Sequence, residues 1–423
     1  MLKLLNLSET LYDRIIWIFT VMLVAIIGLF DGHELMQILM YGITGCVFFL
    51  ILLKERSQFR PRICKYHIFI AFFIGFCYLS SLWGWDSDSA SITSGYILRI
   101  FICMSVFYYH YEKLESIEPL LSAIKWGGYI LAIVSLIGYD PRNILEILLR
   151  GGRVYNGFTC QYGGVYDIPG LFYGIFNPNI NYLGMQIALA AVAGIFDIVY
   201  RKKNILIELL GLLPALLLVA VSGGKMNFLI VILGAGLILL FKTKHTSAKI
   251  TIKRWLLLFA FFCMAVLVLS FIPTFRMTFE RFVTIAQDLM NTSNKMPTDE
   301  RIIMIQVSME QFKKTPLAGI GIDNSWILLE QAMGRSTYTH CNYMELLLGV
   351  GILGTLLFYI WWLYPVYQFW KYRKQGDNNL IICIIWILIS LVIDVAIVTY
   401  SIRTTYLYIA LLFIEAKKLR DLN

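Results

Sequence analysis

One histidine, His340, lies at the junction between a long polar stretch and an apolar one, with Asn342 two positions later. A neutral imidazole titrates near physiological pH, so His340 could take a proton from a hydroxyl group as a general base. The alternative is an interfacial histidine without chemistry, which fits the residue taken alone at least as well. No pair of carboxylates has the spacing of a glycosidase site, which leaves His340 as the better candidate base.

Several basic residues could hold an anion such as a phosphate. Arg301 begins an amphipathic stretch, and its planar guanidinium matches a phosphate or diphosphate better than a lysine does. A short turn runs from Ser222 to Lys225, and its two glycines would let the backbone approach a ligand beside the lysine charge. The alternatives are an exposed helix charge paired with Glu300 and a tight turn with a snorkelling lysine.

The stretch 140–179 combines aromatic residues with two arginines, Arg150 and Arg153, and ends in an Asn-Pro-Asn sequence that contains Asn177 and Asn179. Its tyrosines and phenylalanines could stack on sugar faces, and an interfacial aromatic belt is an equally good alternative. The eight cysteines and five histidines lack the spacing of metal ligands. We therefore expect no metal and no cofactor.

The composition predicts that membrane helices position these residues. Of the 423 residues, 59% are hydrophobic and 15% are charged, whereas soluble domains have about 45–50% apolar and roughly 25% charged residues. Apolar stretches that are long enough to span a bilayer predict an all-α polytopic membrane protein, built as one integral membrane domain over 1–423. About twelve helices are expected, at residues 14–30, 36–53, 66–83, 92–109, 120–139, 180–200, 205–221, 226–241, 255–272, 341–370, 379–399 and 404–416.

The basic residues orient these predicted helices. Most of the 36 lysines and arginines fall in one set of connections, for example at 54–65, 201–203 and 242–254, and in the tail after residue 416. Because cytoplasmic connections carry the excess of basic residues, we expect this side to be cytoplasmic and to hold both termini. The net charge of +9 is then mostly a topology signal, and no nucleic-acid partner is expected.

Two connections on the opposite, outer side are long, at 140–179 and 271–340. Loops of such length are usually functional or carry structure of their own. The second loop joins predicted helices nine and ten and is expected to be partly helical, because Asp299 can cap a helix and apolar residues recur near helical spacing from Ile302 to Phe312. Arg301 and His340 both belong to this loop.

In their order along the chain, these segments resemble the O-antigen ligase and polymerase family of bacterial envelope proteins, most convincingly from about 150 to 370. The similar segments are Phe176-Asn177-Pro178-Asn179 with Gly184, Ser222-Gly223-Gly224-Lys225, Glu300-Arg301 followed by an amphipathic helix and Pro316-Leu317-Ala318-Gly319-Ile320-Gly321, and His340-Cys341-Asn342-Tyr343 followed by Gly349, Gly351 and Gly354. One position departs from the family, which usually has an arginine where this chain has Lys225. A lysine ammonium is a point charge and cannot bind a phosphate with the two-pronged geometry of a guanidinium.

The resemblance implies a fold related to lipid-sugar glycosyltransferases in the bacterial cytoplasmic membrane, with metal-independent catalysis at the outer face. It implies a polyprenyl-diphosphate-linked oligosaccharide as donor, a glycan as acceptor and contact with membrane lipid, and it leaves a chain-length regulator and a flippase open as further partners. Carried over, Arg301 would hold the diphosphate and His340 would activate the acceptor hydroxyl. The candidate substrate-binding residues are Lys225, Arg153, Arg150, Asn177, Asn179, Asn342 and Ser222.

Three activities remain open. A polymerase joins one lipid-linked repeat unit of an O-antigen, capsule or exopolysaccharide to another, whereas a ligase moves the glycan to lipid A–core or another acceptor. We favour the polymerase, because ligases are confined to organisms with a suitable acceptor. A transporter with twelve helices is the alternative outside the family, but it would require charged residues inside the membrane, for which Arg99 and Asp394 are the chief candidates.

Overall fold

The computed structural model describes residues 7–31, 33–162, 165–176, 178–242, 300–373 and 378–422, together with the single residues 273 and 276. The described part is mostly helical, and seven of its helices are long and apolar enough to cross a membrane. The prediction of a helical, polytopic membrane protein is confirmed in this coarse form, while the number of twelve spans stays a prediction. The predicted span 255–272 and Asn177 lie outside the described residues.

The helices in chain order are α1 (Leu7–Leu29), α2 (Glu34–Glu55), α3 (Lys65–Ser80), α4 (Ser87–Lys113), α5 (Glu118–Gly138), α6 (Pro141–Arg150), α7 (Ile180–Val199), α8 (Ile205–Val221), α9 (Lys225–Lys242), α10 (Glu300–Lys314), α11 (Ser325–Met333), α12 (Asn342–Lys371), α13 (Asn378–Ile393) and α14 (Arg403–Asp421). The chain forms two compact units. Unit 1 comprises Met1–Ile16, Tyr41–Leu120 and Thr292–Asn423, and unit 2 comprises Trp17–Met40 and Leu121–Asn291.

Unit 2 is organised around α7, which packs against both α8 and α9. A group of buried charges joins α5, α7 and α8, because the Lys125 ammonium lies 2.6 Å from the Asp197 carboxylate and 2.5 Å from that of Glu208. Arg201 adds a second cation, 3.0 Å from Asp197. Buried charges are costly unless they are paired, and these four balance one another.

Unit 2 also contains a small antiparallel sheet that the all-α prediction did not include. Its strands are β1 (Arg153–Val154), β2 (Thr159–Tyr162) and β3 (Val165–Pro169), in the order β1-β2-β3. Buried Val154, Phe158 and Cys160 anchor the sheet, while Arg153 pairs across the ladder with Gln161. The fold class is corrected in this respect, since part of the aromatic stretch forms strands.

Unit 1 packs α3, α4, α12 and α14 against one another. Large aromatic side chains fill the space between them. Phe73 lies 5.3 Å from Trp361, measured between ring centroids, and Trp361 lies 5.8 Å from Tyr406. All three are fully buried, so this aromatic core fixes α3, α12 and α14 relative to each other.

Helix α12 is broken at Gly351, whose backbone angles (φ 64°, ψ −168°) are not helical. The rings of Tyr343 and Tyr359 stack with their centroids 5.2 Å apart, although sixteen residues of straight helix would separate their Cα atoms by roughly 24 Å. The chain therefore turns back at Gly351 into two arms, 342–350 and 352–371. The predicted span 341–370 coincides with a helix that is long and apolar enough to cross a membrane, and its second arm alone has the roughly 20 residues that a bilayer requires.

The segment 316–321, called the glycine segment below, completes the hydrogen bonding of this break. Four bonds replace those that a continuous helix would make: Ile320 N to Leu348 O (2.9 Å), Gly321 N to Gly349 O (2.8 Å), Ile352 N to Pro316 O (2.9 Å) and Leu353 N to Leu317 O (3.2 Å). Non-helical backbone in a membrane protein needs such partners, since lipid supplies none. Gly319 and Gly351 both lie at positive φ. A Cβ at Gly319 would collide with the backbone of Leu348 and Gly349, and a Cβ at Gly351 with that of Leu317.

Candidate functional site

His340 lies in a turn between α11 and α12, in unit 1. We call residues Thr339–Asn342 the His340 turn. His340 itself is half-buried and adopts a left-handed backbone (φ 55°), and its ring lies 4.1 Å from that of Tyr338, measured between centroids. The turn lies beside the second arm of α12, because Asn342 Nδ2 donates to the Tyr359 hydroxyl at 3.2 Å.

Two arginines of unit 1 act on His340 electrostatically. Arg301 lies in the first turn of α10 and is exposed, and Arg335, which follows α11, forms an ion pair with Glu300. Burial lowers the pKa of His340 to about 4, and the positive charges of Arg301 and Arg335 contribute in the same direction. At neutral pH the site therefore combines a neutral imidazole with a positive potential, an arrangement that suits an anionic ligand beside a proton acceptor.

Asn342 is buried completely, and all the hydrogen-bonding groups of its amide are used by the protein. Its Nδ2 donates to Tyr359 and to Asp394, while its Oδ1 accepts from the backbone N–H groups of Thr399 and Tyr400. A side-chain amide has two donors and room for two acceptor bonds. The predicted contact between Asn342 and substrate therefore has no free group in this arrangement.

Unit 2 holds a second set of candidate residues, around the turn that precedes Lys225. A Cβ at Gly223 would lie 3.1 Å from Arg153 Cβ, so the arginine packs directly on this turn. The Arg153 guanidinium is oriented by Gln161, which accepts from its Nε at 3.1 Å, and by the Tyr155 ring, 5.2 Å away. Arg153 and Lys225 thus belong to one local group of cations, built from the sheet and the start of α9.

Three other predicted residues make local contacts instead. Ser222 is buried, and its hydroxyl donates to Val219 O at 2.7 Å within the turn. Asn179 caps α7, its Oδ1 accepting from Asn181 N at 3.0 Å. The exposed Arg150 forms an ion pair with Glu146 one helical turn away, at 2.7 Å. Substrate contacts for these three residues stay predictions.

Three residues that shape the two groups are not among the site residues predicted from the sequence. Arg335 and Tyr338 lie next to His340, and Gln161 orients Arg153. The proximity of Arg335 to the histidine in sequence was an available signal. Gln161 gave none, because its role depends on the strand pairing β1-β2.

Comparison with known proteins supports a single family. Residues 209–359 match the family model described as O-antigen ligase, a range that includes Lys225, Arg301, His340 and Asn342. No curated protein matches the chain. The chain carries helices long and apolar enough to cross a membrane, and its residues 209–359 are similar to the O-antigen ligase family, which supports the resemblance drawn from the sequence motifs.

Proposed function

We propose that this chain is a glycosyltransferase that polymerises lipid-linked repeat units of a surface polysaccharide. The match of residues 209–359 to the O-antigen ligase family supports glycosyl transfer of the ligase or polymerase type, with a lipid-linked glycan donor and a glycan acceptor. The observation that carries the proposal is the neutral His340 imidazole in the positive field of Arg301 and Arg335. This combination suits a reaction in which a hydroxyl loses a proton while a diphosphate leaves.

In the proposed reaction, the acceptor hydroxyl oxygen attacks the anomeric carbon of the donor sugar. The bond between that carbon and the diphosphate oxygen breaks, and the polyprenyl diphosphate departs with the electron pair. The hydroxyl proton passes to the imidazole of His340, which later returns it to water. Arg301 and Arg335 stabilise the negative charge that develops on the leaving group. Substrate contacts of Arg153 and Lys225 in unit 2 are proposed separately.

Binding of the diphosphate would itself strengthen the base. An anion beside Arg301 and Arg335 offsets the positive charges that lower the pKa of His340. The pKa therefore rises towards the ordinary histidine range when donor is bound, and His340 becomes a better proton acceptor in the complex than in the free enzyme. We also propose that this site faces outward from the bacterial cytoplasmic membrane, that both termini are cytoplasmic and that the reaction needs no metal.

The alternative is a ligase that transfers the finished glycan to lipid A–core or another acceptor. A single assay separates the two activities. Purified full-length chain is incubated with polyprenyl-diphosphate-linked repeat units isolated from cells that lack this chain, and the products are resolved by gel electrophoresis. A ladder of longer glycans on the same lipid is the result expected of a polymerase. Product that appears only after a lipid A–core acceptor is added would replace the proposal with the ligase.

The transporter alternative gains little support from the buried charges of Asp394 and Lys125. Asp394 accepts hydrogen bonds from Thr399, Tyr359 and Asn342 in a closed network. Lys125 is neutralised by Asp197 and Glu208. These groups join helices to one another, which is a structural use of buried charge.

Replacement of Arg301 by glutamine is expected to shift the acid limb of the pH–rate profile to higher pH. Arg301 lowers the pKa of His340, so its removal raises that pKa. Because the general base must be neutral, activity is lost as the pH falls through the pKa, and a higher pKa brings this loss at a higher pH. The profile of kcat/KM in the free enzyme reports the shift.

Arg142→Gln is the matched control for this change. Arg142 is exposed, forms an ion pair with Asp140 and lies far from His340 in the sequence. Its profile should coincide with that of the unmodified protein. Arg335→Gln should shift the limb in the same direction as Arg301→Gln. If the pH–rate profiles of Arg301→Gln and the unmodified chain coincided, Arg301 would have no influence on the pKa of His340.

A further inference from the structure

A buried carboxylate holds the His340 turn from one side. Glu345 is 2% exposed and lies in the first arm of α12. Its Oε2 accepts from the backbone N of Thr339 at 3.0 Å and from the Thr339 hydroxyl at 2.8 Å. Its Oε1 accepts from the Ser325 hydroxyl, which ties the same carboxylate to α11. The residue directly before His340 is therefore fixed through both its backbone and its side chain.

A second buried carboxylate holds the other end of the turn. Asp394 lies directly after α13. Its backbone oxygen accepts a hydrogen bond from Asn342 N (2.8 Å), and its carboxylate accepts one from Asn342 Nδ2 (3.2 Å). The carboxylate also accepts from the hydroxyls of Tyr359 (2.7 Å) and Thr399 (2.5 Å). Asp394 thus connects the end of α13 to the residue two positions after His340.

Such support has a physical reason in the backbone of His340. A residue other than glycine at positive φ is strained and persists only when its surroundings enforce it. His340 has φ 55°, and its two neighbours in the turn supply the enforcing contacts. A displacement of about 1 Å in a catalytic group can lower the rate roughly 10²-fold, so these contacts would control how well the imidazole reaches the acceptor hydroxyl.

We propose that Glu345 and Asp394 are positioning residues, which hold the His340 turn from its two sides through Thr339 and Asn342. This inference rests on the proposed role of His340 as base. It assigns Asn342 to positioning, because its amide is already saturated by protein groups. Neither carboxylate transfers a proton in this proposal, since every contact that the structure gives it is a hydrogen bond it accepts from the protein.

Glu345→Gln and Glu345→Leu separate positioning from proton transfer. A glutamine can keep its Oε1 towards Thr339 and turn its amide towards Ser325, whose hydroxyl can then accept. A leucine has a similar size but makes none of these bonds. We expect kcat to fall about 10²-fold in Glu345→Leu and to stay within about threefold in Glu345→Gln, where the hydrogen bonds persist. The KM for isolated lipid-linked repeat units should be unchanged in both variants.

The chemical reactivity of His340 can be measured independently of catalysis. Diethyl pyrocarbonate acylates neutral histidines, and mass spectrometry of the full-length chain gives the rate at His340 separately from the other four histidines. We expect a severalfold change of this rate in Glu345→Leu and an unchanged rate in Glu345→Gln. Thr339→Val keeps the backbone contact to Glu345 and removes the hydroxyl contacts to Glu345 and to the Cys341 backbone. It should give an intermediate kcat and covers the case in which Glu345→Leu does not accumulate.

The possible outcomes are distinct. Loss of kcat in Glu345→Gln as large as in Glu345→Leu would overturn the proposal and make the carboxylate itself chemically necessary. Full activity in Glu345→Leu together with an unchanged acylation rate would overturn it as well. Full activity in His340→Ala would refute the proposed function instead, while the acylation rates of the Glu345 variants would still report whether the carboxylate positions the turn.

Discussion

Replacement of His340 by alanine is expected to lower kcat about 10²–10⁴-fold, the usual contribution of a general base, with little change in the KM for the lipid-linked donor. The imidazole is half-buried and its pKa is lowered to about 4, so it is neutral and able to accept a proton throughout the neutral range. Removal of the ring leaves Arg301 and Arg335 in place to hold the anion. Binding therefore survives while proton removal does not.

Initial rates of glycan extension by the purified protein, measured over a range of donor concentrations, separate the two parameters. His33→Ala is the control, because His33 is exposed and its Nδ1 contacts only the local backbone of Leu35 among the hydrogen bonds described. That variant should keep the rate of the unmodified chain. If His340→Ala kept its kcat and lost affinity for the donor instead, the residue would be a ligand of the substrate and not its base.

Replacement of Gly351 by alanine is expected to destabilise the protein severely and to abolish activity with it. Positive φ combined with ψ near 180° is a backbone region that only glycine adopts readily, at a cost of about 1–3 kcal/mol for other residues. In addition, a Cβ at Gly351 would collide with the carbonyl group of Leu317 in the glycine segment. The four hydrogen bonds between that segment and the two arms of α12 would have to separate to relieve this collision.

Thermal unfolding in detergent, followed by size-exclusion chromatography, measures this loss. The matched control is Gly75→Ala in α3, where an added Cβ meets nothing within 4 Å. Its midpoint should stay close to that of the unmodified protein, whereas that of Gly351→Ala should fall or the protein should fail to accumulate. Equal midpoints for both variants would mean that α12 has no such break in the membrane.

Composition and periodicity predicted those parts of the fold that depend on local sequence. Apolar length predicted helices such as α4 and α7, and helical spacing from Ile302 to Phe312 predicted an element where the structure has α10. The break at Gly351 could not be predicted in this way, because the apolar pattern continues through it without interruption. Its cause is the glycine segment, which lies thirty residues earlier in the chain and pairs with the break only in three dimensions.

In the candidate site, too, only the features that depend on local sequence were predictable. Residue type and sequence context singled out His340 and Arg301, and the structure gives them an electrostatic interaction. The support of the His340 turn was not predictable, since Asp394 contacts Asn342 across fifty-two positions of sequence. Two residues predicted to bind substrate make local structural contacts instead: Asn179 caps a helix, and Ser222 bonds within a turn.

The pairing between the glycine segment and α12 also sets an order for biogenesis. Residues 316–321 leave the ribosome before Leu348 and Leu353, so their backbone groups stay solvated by water until the later helix is made. Of the four hydrogen bonds at the break, those donated by Ile352 and Leu353 can form only after the second arm is made, as a late step in maturation. A nascent chain truncated shortly after residue 350 would therefore be more sensitive to protease at Pro316 and Leu317 than a chain extended through 371.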